Sequence, residues 1–395
     1  MAPPQQLAPG SPKPTAKQDR NRTGALRDGL DGLSLGRPAA CALQVMRAST
    51  PNTSKERATV AILRSLGFLV VLLAVTRSDG VGQVLPGPQG PVEFIGLERW
   101  NAQELYDAIR EVDPDRPFHA CAAVMRRELG FADAASVLYI GYRGDRYSVV
   151  VGVEDSSRVQ YRPSGSETVV LPATWENLKE VVGGDVQTPQ AAARFLPTRG
   201  GFLSGARRRA IGMGADPETL DELWDLVDRA DGDDDRRRAH EVLARDSAWS
   251  TRAAATLVLG NFTDDDTSWH ALVGALIDSD GKVTGVAANM LRGLTSRKTD
   301  PVEWSGASSH LSALFGGTRP GTFRSILQVL VATDIDPAFG QQLVRENPAL
   351  LLAYAGAQHE PTQESAIAFL RAVSGEDHGT DVEAWRAWVG GLEVG

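Results

Sequence analysis

The C-terminal half of this chain repeats, and that repetition restricts its fold more than any other feature. TRAAATLVLGNF (251–262) aligns with TGVAANMLRGLT (284–295), which sets Thr251 on Thr284 and Gly260 on Gly293. LRGLT (291–295) then aligns with LRAVS (370–374), two units further along. Each copy is followed by a turn and a tryptophan: Trp269, Trp304 and Trp385. From Asp216 onward the apolar period is helical throughout, with Leu220, Leu223, Trp224 and Val227 at i, i+3, i+4 and i+7. A helical unit this short cannot bury its apolar face alone, so successive units must stack into a solenoid. Ala253, Ala254, Ala255, Ala287 and Ala288 let neighbouring helices approach, and Leu257, Met290 and Leu291 fill the seam. The regular placement of the tryptophans predicts packing between units rather than a ligand-stacking ladder. Asp216-Pro217, Asp300-Pro301 and Asp336-Pro337 predict three helix starts, because aspartate caps free N–H groups and proline needs none at the first helical position.

TRAAATLVLGNF, DGKVTGVAANMLRGL and ESAIAFLRAV resemble the second helices of short HEAT repeats, the type also found in relatives of bilin lyases. The ending GEDHGTDVEAWRAW resembles the terminal repeat of HEAT-repeat proteins of bacterial envelopes. The resemblance spans roughly 215–390 and implies an array of about five helix pairs that holds a partner rather than performs chemistry. The 296–320 and 345–362 regions are longer and less regular than a uniform array would have.

Charge divides the chain. Residues up to Gly82 hold 11 basic and 5 acidic residues, +6, and the remainder holds 30 basic and 45 acidic, −15. A body this acidic argues against a general nucleic-acid binder, whose affinity rests on Lys and Arg contacts to phosphate. It argues equally against an anionic membrane surface. Residues 1–45, rich in Pro, Gln, Gly, Ser and Arg and without apolar periodicity, read as disordered or as an over-extended start before Met46. Residues 46–82 read as a signal peptide or signal anchor: Lys55, Arg57 and Arg64, an apolar run Leu66–Val75, and a small-x-small site at Gly80-Val81-Gly82. The stretch between Arg64 and Arg77 falls well short of the roughly 20 residues that a membrane span needs. The mature chain is therefore expected to start near Gln83, to lack a stable membrane span and to be exported, periplasmic or extracellular.

Residues 83–94 (VLPGPQGP at their centre) read as a linker, and 95–200 as a small α+β domain. Leu97, Trp100, Leu105, Ile109 and Val112 predict one helix face, and 118–129 predicts a second helix ending at Gly130. SVLYIGY and RYSVVVGVE, separated by Arg143-Gly144-Asp145, predict a β-hairpin, with RVQYR as a third strand. TWENLKEVV and QTPQAAARFL add two helices, and 201–390 forms the solenoid. The fold expected is mostly α: a small α+β domain followed by a C-terminal α-helical solenoid.

No residue set rises to a catalytic, cofactor or metal site. His119 and Cys121 stand at i and i+2, which point apart on a helix. Cys121 and Cys41 give neither a disulfide framework nor a CxxC pair. Asp231–Asp235 lacks the Gly and Glu of a calcium loop, where Arg236 and Val242 stand instead. Arg236-Arg237-Arg238 is expected to be neutralised by those aspartates, and Arg207-Arg208-Arg209 either to be a solvated face or to bind an acidic partner. His240, His270, His310, His359 and His378 are scattered, and no HExxH, G-x-S-x-G or Walker A motif occurs. The expectation is an exported module that binds a protein or peptide of the cell envelope through its solenoid. The alternative is a hydrolase or lyase sited in 95–200 with the solenoid as a recognition arm.

Overall fold

A computed structural model describes residues 82–141, 144–200, 205–297 and 299–392. The 1–45 stretch and all of the expected signal segment except Gly82 lie outside them. The architecture is a four-stranded sheet with its own helices, continued by a helical solenoid. No helix among the described residues is long and apolar enough to cross a membrane.

The sheet is built from β1 (Gln83–Gly87), β2 (Gly90–Ile95), β3 (Asp133–Ile140) and β4 (Arg146–Val153) in the order β1-β2-β4-β3. β2 runs parallel to β4; the other pairs are antiparallel. The β3–β4 hairpin is the one expected. The expected linker is instead the β1–β2 hairpin. Its prolines are tolerated because β1 is an edge strand and the β2–β4 ladder begins only at Val92, after Pro91. Gly90 has φ +122°, and a Cβ there would lie 2.1 Å from the Arg146 carbonyl oxygen, so only glycine passes.

Alternation splits the sheet residues between two cores. Val92, Phe94 and Val150 meet Leu105 and Ile109 of α1 (Ala102–Val112), Phe118, and Met125 of α2 (Ala122–Arg127). Leu97 and Trp100 precede α1, whose N-cap Asn101 accepts from the Glu104 N–H, and Val112 is exposed. The expected 118–129 helix is a 3-10 turn, Phe118–Ala120, followed by the short α2. Ile95, Val149 and Val151 face the other way, into the solenoid core.

The helices α3 (Ala173–Gly184) and α4 (Gln187–Phe195), expected within the small domain, pack on the solenoid instead. Their apolar faces, Trp175, Leu178, Val182 and Ala191–Ala193, belong to its core. The array continues through α5 (Ala206–Gly212), α6 (Pro217–Asp228), α7 (Asp233–Arg245), α8 (Trp249–Leu259), α9 (Asp266–Leu276), α10 (Gly281–Leu294), α11 (Ser308–Gly316) and α12 (Pro320–Ala332), then α13 (Pro337–Glu346), α14 (Pro348–Ala355), α15 (Glu360–Ser374) and α16 (Val382–Leu392). The second helices α8, α10, α12 and α15 stack in sequence. The irregular 345–362 region is a helix interrupted at Pro348, which supplies no N–H to continue α13. Asp216 and Asp336 cap α6 and α13, accepting from the N–H groups of Thr219 and Phe339. Asp300-Pro301 starts no helix: an extended stretch carries the chain to a 3-10 turn at Ser305–Ala307.

The three repeat tryptophans are buried and pack as expected. Trp269 and Trp385 donate to carbonyls six residues earlier, those of Thr263 and Gly379, both at 3.0 Å. Trp304 donates to Thr333 Oγ1 at 3.0 Å, and its ring meets Trp269 edge-on at 6.2 Å.

RVQYR joins no sheet. Residues 158–171 form an extended strap across the turns between paired helices. Arg158 Nε donates to the Gly316 carbonyl and the Gln160 N–H to Thr318 Oγ1 at the α11–α12 turn. At the α9–α10 turn, the Arg162 N–H donates to the Ile277 carbonyl, and the Ser279 N–H to that of Arg162. At the α7–α8 turn, the Glu167 N–H donates to the Arg245 carbonyl, the Ser247 N–H to that of Glu167, and the Val169 N–H to Asp246 Oδ2. Gly165 lies so close that a Cβ would meet the Arg245 carbonyl oxygen at 1.9 Å. The α14–α15 turn is held by the sheet: the N–H groups of Gln358 and His359 donate to Glu93.

A buried ion network fixes the strap. Asp278 receives two bonds of 2.9 Å from Arg252 and one of 2.9 Å from Arg162. Arg252 also donates to the carbonyls of Asp246 and Ser247, so it ties two successive turns. Burial alone would raise the Asp278 pKa. Hydrogen bonds from Arg252, the Asp280 N–H and Arg162 outweigh that and hold it below the usual carboxylate value. Asp278→Ala leaves Arg252 buried and unpaired, an expected loss of about 3–5 kcal/mol in urea denaturation. Pairing it with Arg252→Met should recover much of that loss; a single-variant loss below about 1 kcal/mol contradicts the network's role.

Candidate functional site

The structure separates the residues that the sequence offered as chemistry. His119 is exposed, whereas Cys121 sits in the small core with Phe118 and Met125, where burial pushes its thiol up to about 12. A thiol held protonated in this way is a poor nucleophile. Asp233, Asp234 and Asp235 form the first turn of α7, where carboxylates suit the helix N-terminus. Asp235 accepts from Trp175 Nε1 at 2.7 Å. Arg236 pairs with Asp233 and Asp265, and Arg237 with Asp234, the local neutralisation expected. Arg207 is paired with Asp221, and Arg209 lies over the Phe195 ring. No group of three or more His, Cys, Asp or Glu among the described residues is placed to hold a metal ion.

Two clusters with no local signature in the sequence lie where the sheet meets the second helices. In the first, His359 at the N-cap of α15 stacks on Tyr139 at 4.0 Å and on Tyr147 at 4.9 Å. Its Nδ1 bonds Thr362 Oγ1 at 2.8 Å. Tyr147 donates to Glu93 Oε2 at 3.1 Å, and burial together with that carboxylate raises the Tyr147 pKa. Glu93 is fully buried, its oxygens occupied by Tyr147 and by the N–H groups of Gln358 and His359 just before α15. Burial, aided by the Arg324 charge, lowers the His359 pKa to about 4. The cluster is thus a neutral imidazole, a protonated phenol and a fully engaged carboxylate. It fastens the sheet to α15 and offers no activated nucleophile.

The second cluster is cationic. α4 crosses α10 closely, because Gly293 leaves room for the Arg194 carbonyl, which a Cβ there would meet at 2.6 Å. This crossing brings Arg194 of α4 beside Arg292 of α10, and Arg324 of α12 completes the group. Arg324 lies over the Tyr139 ring at 5.6 Å and donates through Nε to the Pro361 carbonyl at 2.9 Å. Arg292 donates through Nε to the Ala288 carbonyl at 3.2 Å. Arg194 Nη1 is shielded from solvent with no hydrogen-bond partner. Desolvation lowers the pKa of both Arg194 and Arg292, and for Arg292 the neighbouring Arg194 and Arg324 charges add to it. Among the described residues, none of the three forms an ion pair with a carboxylate. The three arginines stand on three helices far apart in the chain, so no local pattern announces them.

Comparison with protein-family models, curated proteins and solved structures finds no match for this chain.

His359 gives a test of the junction. Its folded pKa lies below the ordinary 6.5, so the unfolded chain binds the proton more readily. The stabilisation is fully present above about 6.5 and is lost as pH falls toward about 4. In urea denaturation between those values, His359→Phe should flatten the acid-side loss relative to the parent chain. Identical slopes in the two proteins contradict the assignment.

Proposed function

We propose that this chain is a non-catalytic binding protein that receives a protein or peptide partner where α4, α10, α12 and β3 meet. The observation that carries this reading is the arginine cluster there, which lacks carboxylate partners among the described residues, in a body of net charge −15. Coverage of the neighbouring surface supports it. α3 packs on α8, α4 on α10, and β3 with β4 on α12, so the protein's own elements occupy much of the layer a solenoid would use for capture. The partner surface is then composite, with sheet and array both required, rather than a property of residues 215–390 alone. The HEAT-like character of the repeats fits the same reading, since stacked helices serve to present surface.

We further propose that the protein works outside the cytoplasm, after removal of residues 46–82 as a signal segment. β1 begins at Gln83, so a chain processed after Gly82 keeps every strand. The enzyme alternative would draw on the Glu93–Tyr147–His359 cluster, where Tyr147 and two backbone N–H groups engage Glu93 and Thr362 engages His359 Nδ1, bonding that favours a fastening role.

The test places a photo-crosslinking amino acid at exposed Gln328 beside the arginine cluster, or at exposed Arg237 on α7, in the full chain expressed in its source cell. The expected outcome is a discrete crosslinked protein from position 328, absent from position 237. Equal crosslinking from both positions, or none from 328, contradicts the reading.

A further inference from the structure

The chemistry of this junction goes beyond a general binding role. Arg194, Arg292 and Arg324 stand on three helices that pack on one another, and the Arg194 and Arg324 charges both act on Arg292, although like charges held near each other repel. Elsewhere in the chain arginines find carboxylates readily, as Arg199, Arg207, Arg245 and Arg371 do. Acidic residues outnumber basic ones by 45 to 30 beyond Gly82, so no overall shortage of acids explains the unpaired arginines. Glu93, the carboxylate at the junction, is buried and occupied by backbone N–H groups and Tyr147.

The donors are also preorganised. Arg292 and Arg324 spend their Nε groups on the carbonyls of Ala288 and Pro361, which fixes each guanidinium plane and leaves the Nη ends. Tyr139 backs Arg324 with its ring. Planar forks held in this way match the two oxygens of a carboxylate, which a lysine ammonium does not.

We infer that Arg194, Arg292 and Arg324, backed by Tyr139, form a receiving site for the carboxylate side chains of an acidic peptide segment. This deepens the proposed binding role and rests on it. Charge complementarity selects the occupant. A nucleic acid would have to lay a long track of phosphates over a body of charge −15, whereas a short acidic segment needs only the arginine cluster. The chain's own segment up to Gly82, at +6, has the wrong sign to fill it.

The experiment measures fluorescence anisotropy of a labelled decapeptide rich in Asp and Glu with the full chain, against the same peptide carrying Lys in place of the acids. Inorganic phosphate serves as competitor. The acidic peptide should bind and the lysine peptide should not. Arg292→Gln and Arg324→Gln should each weaken binding at least tenfold, and Arg292→Lys should restore only part, because the charge returns without the fork. Arg207→Gln, outside the cluster, should leave affinity unchanged. Circular dichroism of every variant separates loss of binding from loss of fold, and Arg194→Lys supplies a second conservative variant. Equal binding of both peptides, unchanged affinity in Arg292→Gln and Arg324→Gln, or phosphate binding as tightly as the peptide overturns the inference. A partner crosslinked through position 328 and still captured by Arg292→Gln overturns the acidic-segment site while leaving the binding role intact. Acidic-peptide affinity that depends on the arginines, with no crosslinked partner in the cell, has the reverse effect.

Discussion

Asp278 has no exposed surface, and the seating of the strap on the solenoid depends on how it is neutralised. A lone carboxylate there would carry a desolvation penalty of several kcal/mol. Arg252, itself buried, meets it with two hydrogen bonds from within the array, and Arg162 meets it with a third from the strap. The second arginine belongs to neither helix of the repeat, so part of the compensation comes from a segment distant in sequence. Asp133 repeats the device one turn further on, accepting from the Arg319 N–H at the start of α12 and from the Tyr161 hydroxyl. Glu93 repeats it again at the start of α15. Carboxylates set against helix N-termini, where partial positive charge collects, thus bind the small sheet to successive units of the array.

This arrangement explains what the sequence made legible. Regular packing leaves a periodic trace: the alanine runs at 253–255 and 287–288 and the tryptophans at 269, 304 and 385 were readable because each unit solves the same burial problem. Local turn chemistry was readable too, in the β3–β4 hairpin and the Asp216 and Asp336 caps. Contacts formed between distant segments left no period. VLPGPQGP looks like a linker until an edge position lets its prolines pair, and RVQYR looks like a strand although its partners are helix turns. The helices α3 and α4 follow a strand-rich stretch and so read as part of it, yet their apolar faces fit the array. One trace of the strap was present: Asp246-Ser247 recurs as Asp278-Ser279, each at a turn the strap crosses. The arginine cluster left none, since its members come from three helices that meet only in the folded chain.

The same economy shapes the functional reading. A solenoid with free faces offers a long surface, but here α3, α4, the sheet and the strap already cover several units. At the junction, Arg292 and Arg324 are each held by a hydrogen bond to a backbone carbonyl. Fixed geometry lowers the ordering cost of binding and favours recognition by charge and shape over a broad apolar footprint.

With these contacts, sheet, strap and array are expected to unfold as one cooperative body rather than as a domain beside a solenoid. Native-state hydrogen exchange across a denaturant series distinguishes the two. The amides of Gln160, Arg162 and Glu167 in the strap, and of Gln358 and His359 at the sheet contact, should exchange with the same free energy and denaturant dependence as the buried amides of α8 and α10. Exchange of the strap and sheet amides through a separate, lower-energy opening, with α8 and α10 still protected, would contradict the account.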